Sequence, residues 1–190
     1  MNTQQLLARL TYEFPDMDGE RRLRELILYI ANKCEDDPTF GATKLNKIVY
    51  FADFMSYELY GEPITGVAYK KLDYGPVPES MHVIQEEMVA EQDIVLKRRP
   101  LRRGGEQHRV VSLREPQLDL FKARDIALLD DVIRELWGKR AERVSDMSHG
   151  VAWKAAASKG RIPYQAALLD DDITDDDIAL SQELAREYGW

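Results

Sequence analysis

Thr43-Lys44-Leu45-Asn46-Lys47-Ile48-Val49-Tyr50-Phe51-Ala52-Asp53-Phe54-Met55-Ser56-Tyr57-Glu58-Leu59-Tyr60 is the stretch on which the fold turns. Thr43 has the chemistry of an N-cap and Gly61 follows as a stop, so the spacing predicts a helix over Lys44–Tyr60. Leu45, Ile48, Val49, Phe51, Ala52, Phe54 and Met55, with Tyr50, Tyr57 and Tyr60 between them, nearly encircle it. A helix that is apolar on all sides belongs inside a protein, which makes this the central helix of the core.

Upstream, Leu23, Leu26, Ile27, Ile30, Ala31 and Cys34 recur at helical spacing from Glu20, an amphipathic helix ended by Asp36-Asp37-Pro38. Residues before it read as an arm, broken at Phe14-Pro15. Downstream, Gly61-Glu62-Pro63 and Thr65-Gly66 are turn chemistry, and Val67-Ala68-Tyr69 is a short extended piece at most. Asp73-Tyr74-Gly75-Pro76-Val77-Pro78 forces a kinked, extended path, because a residue before proline is driven out of the α region. A helix bearing Met81, Val83 or Ile84, Met88 and Val89 follows. Asp93–Lys97 and Gln107–Leu113 read as two strands, with Arg98–Glu106 as a long hairpin loop. Helix, helix and hairpin is the outline of a winged-helix-like module, by fold analogy. Leu118–Trp137, Glu142–His149 and Val151–Ser158 read as helices. Thr174 with Asp177 forms a weak capping box that opens a last one. The fold class is mainly α with a small β-hairpin (α+β), a compact helical domain.

The chain has 190 residues, 44% apolar and 32% charged, with a net charge of −8. Such a chain is globular and long enough to bury a core without disulfides or a structural metal. Cys34 is the only cysteine, so there is no internal disulfide and no cysteine-based zinc site. Charge-free runs stop at Met1–Ala8 and Ile162–Leu169, far short of the roughly 18–20 residues of a spanning helix. The N-terminus has no basic n-region or apolar core of a signal peptide. The expectation is a cytoplasmic protein with no membrane contact.

Catalytic constellations are absent from the sequence. No lysine-bearing phosphate loop occurs, and Gly104-Gly105 sits in a hairpin rather than before a helix. Asp170, Asp171, Asp172, Asp175, Asp176 and Asp177 fail as a calcium loop, since Asp175 and Ser181 stand where Gly and Glu are needed. They read as a solvated acidic helix cap. His82, His108 and His149 have no ligand spacing, and His149 reads as a histidine packed near Trp153. Cys34 lies on an apolar helix face, buried and inert. The expectation is no enzyme, no cofactor and no metal.

The basic segment stands out. Lys97, Arg98, Arg99, Arg102, Arg103 and Arg109 are opposed only by Glu106. Arginines at a hairpin tip contact phosphates or acidic protein surfaces. Equally, charge on a hairpin edge blocks sheet-to-sheet aggregation.

Lys44-Leu45-Asn46-Lys47-Ile48-Val49-Tyr50-Phe51-Ala52-Asp53, then Tyr60-Gly61-Glu62-Pro63-Ile64-Thr65-Gly66, Tyr69 and Tyr74-Gly75-Pro76-Val77-Pro78, in that order, resemble the signature of the Panacea domain, the SocA-like antitoxin family. The hairpin and Ser148-His149…Trp153 extend the likeness to residue 155. The resemblance implies one domain over 1–190: an arm at 1–19, a family-like core at 20–155 and a helical extension at 156–190. It implies an antitoxin of a two-gene toxin–antitoxin module, often beside a prophage, that neutralises a cognate toxin from the adjacent gene by direct contact. The paired toxins include pyrophosphokinases of the alarmone-synthetase type, and one branch delivers its toxin to a cytoplasmic protease. Members often carry an extra domain in front of this one, and the expectation is that residues 1–20 are too short to hold it. On this reading Lys44, Leu45, Tyr50, Phe51, Phe54, Gly75, Pro76 and Trp153 are scaffold. Lys70, Lys71, Tyr74, Arg98, Arg99, Arg102 and Arg103 are the expected toxin-binding side chains. The alternative is a DNA-binding transcriptional regulator with the basic hairpin as its wing, which the acidic overall charge disfavours.

Overall fold

Helix α1 (Gly19–Lys33) places Leu23, Leu26, Ile27 and Ile30 wholly out of solvent, as their spacing requires. The computed structural model describes residues 10–100, 104–169, 179, 183, 186 and 187. Helix α2 (Ala42–Tyr60) is the central element and buries Leu45, Ile48, Val49, Tyr50, Ala52 and Phe54. Its start corrects the capping assignment: Gly41, extended, is the N-cap, and Thr43 lies inside the first turn. Gly61, in the left-handed region at φ 73°, ends the helix by donating its N–H to Tyr57 O at 2.8 Å. The helix is not enclosed along its whole length. Phe51 is only half-buried, and Met55, Leu59 and Tyr60 are exposed in the last turns.

The segment after Gly61 is more regular than its turn chemistry suggests. Strands β1 (Tyr69–Leu72) and β2 (Gly75–Pro78) form a tight antiparallel hairpin with Asp73-Tyr74 at its tip. The register pairs Lys71 with Pro76 and Tyr69 with Pro78. Glu79 N–H bonds Ala68 O at 2.9 Å, and antiparallel alternation then makes 70/77 and 72/75 the bonded pairs. Both prolines therefore fall where a strand's N–H would face away from β1, so neither breaks the ladder. Strand β5 (Arg161–Ile162) pairs with the other side of β1, giving the order β2-β1-β5.

Helix α3 (Met81–Ala90) buries Met81, Ile84 and Met88, so Ile84 rather than Val83 faces the core, and Val89 is exposed. Strands β3 (Ile94–Pro100) and β4 (Glu106–Ser112) make a separate two-stranded ribbon. It is longer than the expected hairpin: Arg98 pairs with His108 and Arg99 with Gln107, which moves both arginines from the loop onto a strand.

The expected helix Leu118–Trp137 is broken. A 3-10 turn (Leu118–Leu120) precedes extended Phe121, and helix α4 (Ala123–Leu136) starts only where the Asp125 carboxylate accepts the Lys122 N–H at 3.0 Å. Helices α5 (Ala141–Met147) and α6 (Val151–Ala155) follow, joined through Gly150, and a 3-10 turn (Tyr164–Leu168) packs on α2. The expected helix opening at Thr174 lies outside the described residues. The class is as expected, mainly α with small antiparallel sheets. One apolar cluster runs from Leu23 to Ala166. At its centre Tyr50, Phe54, Tyr69 and Tyr164 meet ring to ring, with centroids 4.4–6.1 Å apart.

Candidate functional site

Three charged side chains of α2 are buried, and each fastens a different loop. Lys44 Nζ bonds Asp37 Oδ2 at 2.7 Å in the loop after α1, with both groups out of solvent. Asp53 accepts the Thr65 N–H at 2.6 Å and the Thr65 hydroxyl, together with the hydroxyls of Tyr69 at 2.8 Å and Tyr164 at 3.3 Å. Burial pushes its carboxyl up, and the Thr65 and Tyr69 donors oppose the rise. Lys47 reaches the third loop and donates to Pro76 O at 2.8 Å. With no carboxylate beside it, burial pulls its amine down to about 7.

That third loop is the tip of the β1–β2 hairpin, where carbonyls from alternate residues accept from side chains of three different helices. Trp153 Nε1 on α6 donates to Leu72 O at 3.1 Å, Ser145 Oγ on α5 to Tyr74 O at 2.9 Å, and Lys47 on α2 to Pro76 O. Gly75 sits at φ 94°, and a Cβ there would lie 2.3 Å from Ser148 Oγ and 2.8 Å from Lys47 Nζ. Only glycine lets the backbone come this close. The side chain left outside is Tyr74, 78% exposed, next to exposed Leu72.

Lys71 and His149 flank the turn and close on Trp153. The Lys71 ammonium lies 4.3 Å from the indole centroid and donates to Ala156 O at 2.8 Å. His149 stacks on the indole at 4.0 Å, and Nε2 of its ring is buried without a partner. Its pKa is lowered by burial first, then by the charges of Lys47 and Lys71. Lys71 thus serves the fold, whereas Lys70 is exposed on the same strand.

The basic ribbon divides in a similar way. Arg109 is buried: it donates to Cys34 O at 2.8 Å, Asp37 O at 2.9 Å and Glu35 O. It thus caps the C-terminus of α1, where a cation suits the helix dipole. Lys97, Arg98 and Arg99 are exposed, and Arg98 stands 3.9 Å from Glu106. Lys97 and Arg99 form one wall of a cleft of about 320 Å³ against Glu35 and Asp36. Arg102 and Arg103 lie outside the described residues. The structure therefore places Tyr74 and Lys70 on one hairpin and Arg98 and Arg99 on the other.

Groups that could do chemistry are scattered. His82 lies 3.6 Å from Glu86, and His108 lies 3.7 Å from Glu106, both on the surface. Cys34 is 1% exposed, and burial pushes its thiol up to about 12, so it is not a nucleophile. No cluster of three metal-binding side chains occurs among the described residues. Among them, too, no helix is long and apolar enough to cross a membrane.

The family model of the SocA-like antitoxin, Panacea domain, matches residues 45–154, from the second turn of α2 to α6. The chain belongs to the SocA-like antitoxin family. The match spans Lys47, Asp53, the pinned turn, the basic ribbon and Trp153, while the Lys44–Asp37 tie, Tyr164 and Ala156 lie outside it. No curated protein matches the chain.

The sequence reading missed Lys47 and Asp53 as ties, although both stand inside the motif it singled out. The signal was present: a charged residue at a position surrounded by apolar ones must have a partner when buried.

Proposed function

We propose that this SocA-like chain is the antitoxin of a two-gene module and neutralises the toxin encoded beside it by stoichiometric contact, without chemistry. The antitoxin family supports the role. The observation that carries the contact is Tyr74, an exposed tyrosine on a turn whose carbonyls are held from three helices. A large aromatic presented rigidly loses little entropy on binding, which is what an interface hot spot requires. Lys70 beside it, and Arg98 and Arg99 on the ribbon, suit an acidic toxin surface.

Co-expression with the product of the adjacent reading frame, pull-down and titration of toxin activity test the reading. A pyrophosphokinase assay comes first, given the toxins paired with the family. A stable complex with inhibition saturating near equimolar ratio is expected. Inhibition in cells without a complex in the purified system would overturn direct sequestration and point to protease delivery. Retention of promoter duplex, with toxin left active, would point to the DNA regulator.

A further inference from the structure

We propose that the outer edge of β3 receives an extended, acidic strand of the partner protein, extending the β3–β4 ribbon to three strands. Leu113 N–H bonds Asp93 O at 2.8 Å, and these residues stand opposite each other in the ribbon's register. In an antiparallel pair, bonded and non-bonded positions alternate, so 95/111, 97/109 and 99/107 are the bonded pairs. Leu96 and Arg98 occupy the alternate positions, and their N–H and C=O groups point away from β4. Neither has another backbone partner among the described residues. β4 lies on the inner side, against α1 and α2, while Val95 to Pro100 are all exposed. The edge is thus open and its backbone groups can be satisfied by an added strand.

Charge selects the occupant. Lys97, Arg98 and Arg99 are consecutive on this edge and present cations to both faces of the ribbon. A second copy of this chain would bring the same cations against them, and like charges across a strand pair are unfavourable. An acidic strand gains at each of these positions instead. Pro100 shares the parity of Leu96 and Arg98, so its missing N–H leaves the ladder to β4 intact and ends the receptive edge.

The inference rests on the toxin-binding reading, and its test separates the two. The full-length chain, isotope-labelled, is purified alone and with the co-expressed product of the adjacent gene, and amide exchange is read residue by residue. Slowed exchange at Leu96 and Arg98 in the complex is expected, with Lys97 and Arg99 already slow in the free chain. Arg98→Pro, which removes the outward N–H, should weaken the complex about tenfold more than Arg98→Ala, which keeps it. A complex without protection at Leu96 and Arg98 overturns strand addition and leaves the antitoxin reading standing; absence of any complex overturns both. Equal loss in the two variants reduces the contact to side-chain charge and overturns the proposal. So does protection of the same amides by a random-sequence DNA duplex instead of the toxin.

Discussion

Lys47 and Pro76 are joined inside the fold, the lysine amine donating to the proline carbonyl at 2.8 Å beneath the turn that carries Tyr74. Burial pulls this amine from its ordinary 10.5 to about 7, so between those values the unfolded chain binds more protons than the folded one. Stability should therefore rise with pH through that window, by at most about 1.4 kcal/mol per unit from this group. Cys34 works the other way above its ordinary 9.0, since burial lifts it to about 12. Denaturant unfolding between pH 7 and 9 of the parent and of Lys47→Met isolates the effect. The parent should gain more; parallel curves would refute the assignment.

Gly75→Ala should cost about 3 kcal/mol, because a β-carbon there meets Ser148 and Lys47 while φ stays at 94°. Gly61→Ala is the control: φ is 73° and nothing lies within 4 Å, so only about 1 kcal/mol is expected. Equal midpoint shifts in urea would show that the turn is not closely packed.

Phe54→Ala should cost about 3–5 kcal/mol, since the ring is 5% exposed and touches Tyr50, Tyr69 and Tyr164. Phe51→Ala, at a half-buried position on the same helix, should cost about 1–2 kcal/mol. The apolar pattern ranks the two alike, and thermal or chemical unfolding would show whether the packing separates them.

Tyr74→Ala should leave the unfolding midpoint within about 0.5 kcal/mol of the parent and weaken the toxin complex by about 2 kcal/mol or more. Calorimetric titration against the purified toxin reads the loss. Unchanged affinity would remove the turn from the interface.

The helices α1 and α2 are legible because their apolar residues repeat at helical spacing and a glycine stops α2. The β1–β2 hairpin is not, because Pro76 and Pro78 read as breakers, and only the register shows that both fall on positions without a ladder bond. The break at Phe121 is hidden for a related reason: Asp125 caps from three residues inside the pattern, and apolar spacing runs through the break. Arg109 is indistinguishable by charge from Arg98 and Arg99, yet it caps α1 while they stay in solvent. Strand alternation sets Arg98 on the opposite face, but Arg99 shares the face of Arg109. There the difference is the strand: Arg109 is on β4, which packs on α1 and α2, whereas Arg99 is on outer β3.

The way the hairpin tip is held separates what the fold needs from what the tip presents. Every tie to it ends on a backbone carbonyl, and a carbonyl is supplied by any amino acid. Asp73 and Tyr74 contribute no side chain to the fastening, so their identities are free of any folding requirement beyond the turn itself. Under the proposed toxin contact, substitutions at these two positions would redirect recognition while stability stays where Lys47, Ser145 and Trp153 set it. On that reading, the fold and the recognised partner are set by different letters of the same turn.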